Sequence, residues 1–123
     1  MVKKAYANAG DDATIVFPDY GTKIKHQRCV INRFEIWARG RHPSKRIFAS
    51  KFGSGTNAVC VGDCNIYNNR GSISVVSKNV EFTLANTTKA DQKRYCIKIR
   101  CSGSDDINND CENDEISLVI VGK

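Results

Sequence analysis

The run of residues 70–99 constrains the fold of this chain more than any other segment, because its apolar residues follow the period of a β-strand. Val80, Phe82 and Leu84 alternate with polar neighbours, as in a strand that buries one of its faces. Residues 86–91 contain Asn, Thr and Asp, and they predict a turn into a second strand. No long helical period accompanies this pattern, so the sequence predicts an all-β fold.

The order of strands and turn in this run resembles strands D, E and F of an immunoglobulin V-type domain. In that family an arginine and an aspartate form a salt bridge beneath the sandwich, and a tyrosine that forms the tyrosine corner follows. Arg70, Asp91 and Tyr95 match these positions. The resemblance extends from Gly10 to about Val121 and implies two packed sheets.

The chain departs from the V-type pattern at the three residues that usually form its core. The strand F cysteine is replaced by Ile97 and displaced to Cys96, and Phe17 stands where the strand B cysteine belongs. In the segment RFEIWAR we expect Ile36 in the core and Trp37 facing outward, because the opposite phase would bury charged side chains without obvious partners. That opposite phase, with Trp37 in the core, is the alternative. The resemblance thus implies a V-set-like sandwich without the usual B–F disulfide or core tryptophan.

Length and composition indicate one domain over residues 1–123, with its core in residues 10–121. Met1 is followed by Val2 and two lysines, without the apolar region of a signal peptide. No segment approaches the roughly 20 apolar residues of a membrane-spanning helix. We expect an excised ectodomain with an added start codon, whose parent carries any membrane anchor beyond Lys123.

Six cysteines in so short a chain favour an oxidised, extracellular protein with non-standard disulfides. They are Cys29, Cys60, Cys64, Cys96, Cys101 and Cys111. Our preferred pairing closes the F to G hairpin with Cys101 and Cys111. It then joins Cys96 to Cys29 or Cys60, because Cys96 is expected to face outward, and it pairs the remaining two cysteines.

Neither metal binding nor catalysis is indicated. Cys60 and Cys64 have a spacing that zinc sites use, but His26 and His42 are isolated and no second ligand pair follows. No nucleophile lies at a recognisable spacing from a base, and the segment FGSGTN, residues 52–57, predicts a flexible loop rather than a phosphate cradle. We expect no metal, no cofactor and no enzymatic activity.

Charge is unevenly distributed in a chain whose formal net charge is +6. Residues 22–51 contain nine basic residues and one acid, Glu35, whereas residues 104–115 contain six acids and no base. In a V-type domain both segments lie on or near the same sheet. Complementary charges of this kind set specificity and encounter rate between two copies, with exposed Trp37 as a candidate anchor. The alternative is that the two segments neutralise each other within one molecule.

Two further surface features bear on function. The basic run of residues 39–46 suggests binding to a polyanion, such as a heparin-like glycan or an anionic lipid. Nucleic acid is not expected, because no RNA- or DNA-binding motif accompanies the basic residues. Asn86, Thr87 and Thr88 form an acceptor sequence for N-glycosylation on the turn between strands E and F.

Among V-set domains, the chain resembles two groups of receptors. The mammalian TIM receptors are similar in having six cysteines and one directly after the strand F tyrosine, here Cys96, but they keep the core cysteine that Ile97 replaces. The closer resemblance is to the Alr allorecognition proteins of the colonial hydroid Hydractinia. Their V-like first domains lack the core cysteines and tryptophan while carrying other cysteines.

The resemblance to the Alr family implies a domain on the extracellular face of the plasma membrane. It also implies homophilic binding to the same protein on an opposing cell, which distinguishes self from non-self. The residues expected to meet are Trp37, Arg39, Arg41, Lys45 and Arg46 on one copy, and Asp105, Asp106, Asp110 and Glu112 on the other. The alternative is a receptor or decoy domain that binds a glycan, an anionic lipid or a host protein through its basic segment.

Overall fold

Strands dominate residues 3–40, 45–51, 58–62, 64–67, 69–103, 105–108 and 115–122, which are the residues that the computed structural model describes. The first half contains β1 (Lys3–Asn8), β2 (Ala13–Phe17), α1 (Tyr20–His26), β3 (Val30–Arg39), β4 (Lys45–Lys51), β5 (Val59–Cys60) and α2 (Cys64–Tyr67). The second half contains β6 (Gly71–Val76), β7 (Asn79–Leu84), a 3-10 helix (Lys89–Asp91), β8 (Arg94–Ser102), β9 (Ile107–Asn108) and β10 (Ile116–Val121). The predicted all-β fold is confirmed.

The strands form two sheets. The front sheet has the order β1-β10-β8-β3-β4-β5, with β9 pairing beside β8, and the back sheet has the order β2-β7-β6. Pairing is antiparallel except between β1 and β10, which run parallel from Lys3 opposite Ile116 to Asn8 opposite Val121. The chain therefore crosses between the sheets several times, and residues distant in sequence become neighbours.

The core between the sheets is built from the alternating apolar residues of the strands. In β7, Val80, Phe82 and Leu84 are fully buried, as the sequence pattern predicts. The neighbouring strand β2 of the same sheet alternates in the same way and buries Ala13 and Ile15. Burying a large apolar side chain contributes roughly 1.5 to 3 kcal/mol, so this alternation is the main stabilising term.

The predicted burial of three apolar residues in the core is confirmed. Phe17, Ile36 and Ile97 have no exposed surface, and all three belong to one cluster of buried residues. Trp37 is only half-buried and lies outside that cluster. The alternative phase, with Trp37 in the core, is therefore wrong.

The two contacts predicted at Arg70, Asp91 and Tyr95 are also present. The guanidinium of Arg70 forms an ion pair with the buried carboxylate of Asp91 at 2.6 Å. The Tyr95 hydroxyl donates a hydrogen bond to the backbone carbonyl of Asp91 at 2.7 Å. Together they fix the turn between β7 and β8 against the base of the core.

An aromatic stack crosses the core between the two sheets. Tyr67 of α2 packs edge-on against Phe48 with ring centroids 5.6 Å apart, and Phe48 packs on Phe82 at 5.4 Å. Phe82 then contacts Tyr95 of β8 at 6.1 Å. Gly71 leaves room for this stack, because a Cβ there would lie 2.8 Å from the Phe48 ring.

The disulfides match our preferred pairing only in the bond between Cys60 and Cys64, which are the remaining two cysteines if Cys96 is paired with Cys29. Cys29 is bonded to Cys101, with Cα atoms 5.3 Å apart, and Cys60 is bonded to Cys64. The predicted bond from Cys101 to Cys111 is therefore wrong, as are both partners proposed for Cys96. Cys96 is itself disulfide-bonded, although no partner for it lies among the described residues, and Cys111 lies outside them.

The alternation of β8 explains the correction. Cys101 has the same parity as Ile97 and Ile99, so it packs against the core rather than towards the loop that follows. There it meets Cys29, which directly precedes β3, whose Val30 pairs with Ser102. These disulfides indicate an oxidising, secreted or extracellular environment.

Helix α1 was not predicted from the sequence. Its seven residues are held by tertiary contacts: Tyr20 is buried against Phe17, with ring centroids 6.2 Å apart. Gly21 donates a backbone hydrogen bond to the Lys78 carbonyl at 2.9 Å, and a Cβ at Gly21 would lie 2.7 Å from the Ser77 carbonyl oxygen.

The α-helices among the described residues are α1 and α2, and neither is long and apolar enough to cross a membrane. The predicted loop at residues 52–57 lies outside the described residues.

Candidate functional site on the front sheet

The outer face of the front sheet, turned away from the core, collects most of the charged residues of β3 and β8. In β3 the buried side chains of Phe34, Ile36 and Ala38 face the core, so alternate residues face outward. The outer face therefore carries Arg33, Glu35, Trp37 and Arg39 from β3, Arg94, Cys96, Lys98 and Arg100 from β8, and Arg46 from β4. Within it Cys96 is nearly buried, with 1% of its surface exposed.

Glu35 is the centre of this face. Its side chain has 0% exposure although it points away from the core, because three arginines cover it. The Arg33 guanidinium approaches Glu35 Oε2 at 2.7 Å, and the Arg46 guanidinium approaches the same oxygen at 3.1 Å. The Arg100 guanidinium approaches Oε1 at 3.1 Å, so one carboxylate joins strands β3, β4 and β8.

The surroundings of Glu35 keep it ionised. Burial alone would raise the pKa of its carboxyl, but hydrogen bonds from Arg100, Trp37 and Arg46 lower that pKa to about 2. The hydrogen bond to Glu35 in turn raises the pKa of Arg100. The network is therefore fully charged at neutral pH, and its ion pairs hold three guanidinium groups in place.

Trp37 is fixed by the same network. Its indole Nε1 donates a hydrogen bond to Glu35 Oε1 at 3.1 Å, and the Lys98 ammonium lies 4.0 Å from the centre of the Trp37 rings. A cation over an indole contributes about 0.5 to 1 kcal/mol at an exposed site. A half-exposed aromatic side chain thus stands on the outer face in a defined orientation.

Among the described residues, the basic segment (residues 22–51) and the acidic segment (residues 104–115) meet within the molecule at one ion pair. Arg39 forms a two-pronged ion pair with Glu115, in which Nη2 lies 2.7 Å from Oε1 and Nε contacts Oε2. Arg100 also contacts Asp106 at 3.0 Å. A backbone hydrogen bond from Cys101, followed by the bond from Arg100, lowers the pKa of Asp106. For the pair of Arg39 with Glu115, the charges of the two segments are neutralised inside one molecule, as the alternative from the sequence predicts.

The strand register also places like charges side by side. Arg33 lies opposite Arg100, and Arg39 lies opposite Arg94. Like charges directly opposite each other destabilise a sheet, and Glu35 offsets this for the first pair. Over the described residues, the outer face carries more basic side chains than the carboxylates that contact them, which are Glu35, Asp106 and Glu115.

Some of the predicted site residues are brought together and others are not described. Trp37, Arg39 and Arg46 lie on the outer face, and Asp106 borders it, next to exposed Asp105. Residues 41, 110 and 112, predicted as Arg41, Asp110 and Glu112, lie outside the described residues, as does the side chain of Lys45.

Sequence reasoning missed Glu35 as the centre of the site, together with Arg33, Lys98 and Arg100. A simple parity count contained the signal, because Glu35 and Arg33 stand two and four residues before Trp37 on one strand face. The convergence of β4 and β8 side chains on Glu35 depends on the register between strands, which parity does not supply. Over the described residues, no group of three or more His, Cys, Asp or Glu side chains is placed to hold a metal ion.

Comparisons with known proteins add no relative. No model of a known protein family matches the chain, and no curated protein matches it either. The site must therefore be interpreted from its own geometry and chemistry.

Proposed function

We propose that this chain is an extracellular recognition domain with a V-set immunoglobulin fold, carried by a membrane-anchored parent protein. Three features support the fold: the strand order of the two sheets, the parallel pairing of β1 with β10, and the Asp91 contacts with Arg70 and Tyr95. The disulfides support an extracellular location.

The fixed array around Glu35 is the observation that carries a binding role for the outer face. Arginine and tryptophan are the side chains most enriched among the residues that dominate binding energy at protein interfaces. Ordering a long side chain on binding costs about 0.5 to 1.5 kcal/mol, and here Trp37, Arg46 and Arg100 are already ordered by ion pairs and hydrogen bonds. The outer face is preorganised for a partner.

A second copy of the same protein is the partner we propose, bound in trans between opposing cells. The outer face presents arginines and lysine at its centre, and Asp105 is exposed at its border without an ion pair among the described residues. A two-fold axis brings a patch of one sign on one copy against the patch of opposite sign on the other. Allelic variants that place like charges or clashes across such a contact would then separate self from non-self.

Charge reversal on the outer face tests this proposal. Beads carrying the domain at high density should cluster, because many weak contacts act together, and clustering should disappear in the double variant Arg94→Glu, Lys98→Glu. Both side chains are on the outer face, and neither forms an ion pair with another described residue. Clustering is measured by light microscopy and by turbidity.

The matched control reverses the same number of charges elsewhere. Lys25→Glu with Lys78→Glu changes exposed lysines in α1 and in the turn between β6 and β7, which borders the back sheet, so clustering should persist. If wild-type beads do not cluster at any density, homophilic binding is ruled out for this domain. If both double variants lose clustering equally, the outer face is not the contact.

An acidic glycan or anionic lipid is the second candidate partner, and the like-charge pairs of Arg33 with Arg100 and Arg39 with Arg94 favour it. Such binding depends on general charge attraction, so it should weaken steeply as salt rises, while the domain remains monomeric. Retention on a heparin column that is lost in Arg94→Glu, Lys98→Glu, together with absent bead clustering, would decide for this candidate.

A further inference from the structure

The turn after β7 presents Asn86 to solvent in a rigid backbone setting. Asn86 is exposed and has a left-handed backbone with φ 51°, which asparagine adopts more readily than most residues. Its backbone N–H donates to the Asp12 carboxylate at 3.1 Å, and its carbonyl accepts a hydrogen bond from Arg70 at 3.0 Å. No hydrogen bond to the Asn86 side-chain amide comes from the described residues, so that amide is directed outward from a fixed base.

The next two residues complete a modification motif around this amide. Thr87 is buried, and its hydroxyl donates to the Asp11 carbonyl at 2.8 Å. Thr88 is exposed, as Asn86 is. Asn86 and Thr88 are therefore the two outward positions of an Asn-X-Thr sequence, and the buried middle residue anchors it. This motif occurs once in the chain.

A shallow groove of about 600 Å³ lies directly beside Asn86. Small residues line it, Ala9, Gly10 and Gly122 among them, together with Thr88 and Lys89. The Lys89 ammonium is bonded to the Ile120 carbonyl at 2.9 Å, and a Cβ at Gly10 or Gly122 would meet nothing within 4 Å. The groove is open, and Lys89, the ionisable residue that lines it, is already hydrogen-bonded. Such a groove suits a neutral sugar ring with polar groups at its edges.

We propose that Asn86 carries an N-linked glycan and that its first N-acetylglucosamine lies in this groove. In the reaction, the Asn86 amide nitrogen forms a bond to C1 of the sugar of a polyprenyl-diphosphate-linked oligosaccharide. The bond from C1 to the diphosphate oxygen breaks, the diphosphate leaves with its electron pair, and the amide loses one proton. The modification requires only passage through the secretory pathway, so it stands whether or not the domain binds a copy of itself.

The position of the glycan is compatible with binding at the front sheet. β7 belongs to the back sheet. Its first end lies beside α1, because Gly21 donates a hydrogen bond to the Lys78 carbonyl. Its other end leads into the turn that contains Asn86. The glycan therefore covers the end of the sandwich opposite α1. A partner can still approach the outer face of the front sheet.

Secretion of the chain from eukaryotic cells tests the modification. Wild-type protein and Thr88→Ser, which keeps the motif, should migrate as larger species that an Asn-glycan amidase collapses to the unmodified size. Asn86→Asp removes the acceptor amide while keeping a residue that tolerates a left-handed backbone, so it should be secreted at the unmodified size. Peptide mass spectrometry should locate the sugar on residue 86, and secreted wild-type protein without sugar would overturn the proposal.

Seating in the groove is tested on protein trimmed to a single sugar. Amidase-treated protein, which has Asp at residue 86, is the matched reference. The trimmed form should show nuclear Overhauser contacts between the acetyl methyl group and Ala9 or Thr88. It should also show several-fold slower amide exchange at Gly10, whose N–H bonds to the Thr87 carbonyl at 2.7 Å. A sugar attached at Asn86 without these contacts and without slower exchange would overturn the seating.

Discussion

Replacing Cys29 and Cys101 together by alanine is expected to lower the free energy of unfolding by about 4 kcal/mol. The bond closes a loop with a sequence separation of 72, and in the chain-entropy description a loop of that length restricts the unfolded ensemble by roughly that amount. Urea unfolding of the wild-type and double-alanine proteins, followed by far-UV circular dichroism, measures the difference. In a domain of this size the loss is a large part of the total stability of about 5 to 15 kcal/mol.

The Cys60 to Cys64 bond is the control for this expectation. Its sequence separation is 4, so the same relation gives about 2 kcal/mol for replacing both cysteines by alanine. A larger loss from the short bond than from the long bond would contradict the loop-entropy explanation. It would indicate instead that the short bond acts in the folded state, by holding α2 so that Tyr67 enters the aromatic stack with Phe48.

The two described disulfides do not join the sheets. Cys29 precedes β3 and Cys101 lies in β8, both in the front sheet, while Cys60 lies in β5 of the same sheet and Cys64 begins α2. In the residues that the structure describes, the contact between front and back sheets therefore depends on apolar packing. Phe17, Ile36 and Ile97 belong to the buried apolar cluster that forms this contact.

The alternation of side chains along the strands explains how much of the core was predictable from sequence. Side chains of a strand alternate strictly between two faces, so Ile97 and Ile36 could be assigned to the core, and Trp37 to the outside, before any coordinates. The same rule, applied to Cys101, would have placed it with Ile97 and against the core. Our pairing with Cys111 was wrong because it used closeness along the hairpin in place of strand parity.

Contacts between distant segments account for what the sequence did not reveal. α1 has seven residues, which are too few for a stable helix by local propensity. It depends on the packing of Tyr20 against Phe17. Burial of Glu35 depends on β4 and β8 supplying Arg46 and Arg100 from either side of β3. The sequence pattern of one strand cannot predict these contacts, because the register between strands creates them.

Glu35→Gln is expected to lower the free energy of unfolding at neutral pH by up to about 3.5 kcal/mol. The Glu35 pKa falls from 4.5 to about 2 in the folded protein, and each unit corresponds to about 1.4 kcal/mol. Because the folded pKa is depressed, the stabilisation is fully present above pH 4.5 and is lost as pH falls towards 2. The difference between the wild-type and Glu35→Gln proteins should therefore shrink across that interval.

Glu81→Gln is the matched control, because Glu81 lies in β7 of the back sheet and forms no ion pair with another described residue. Its effect should stay within about 0.5 kcal/mol. Trp37, the single tryptophan, supplies a local readout, since its indole bonds to the Glu35 carboxylate. Its fluorescence should shift in Glu35→Gln at neutral pH and remain unchanged in Glu81→Gln. A stability difference independent of pH, with unaltered Trp37 emission, would show that Glu35 does not order the outer face through its charge.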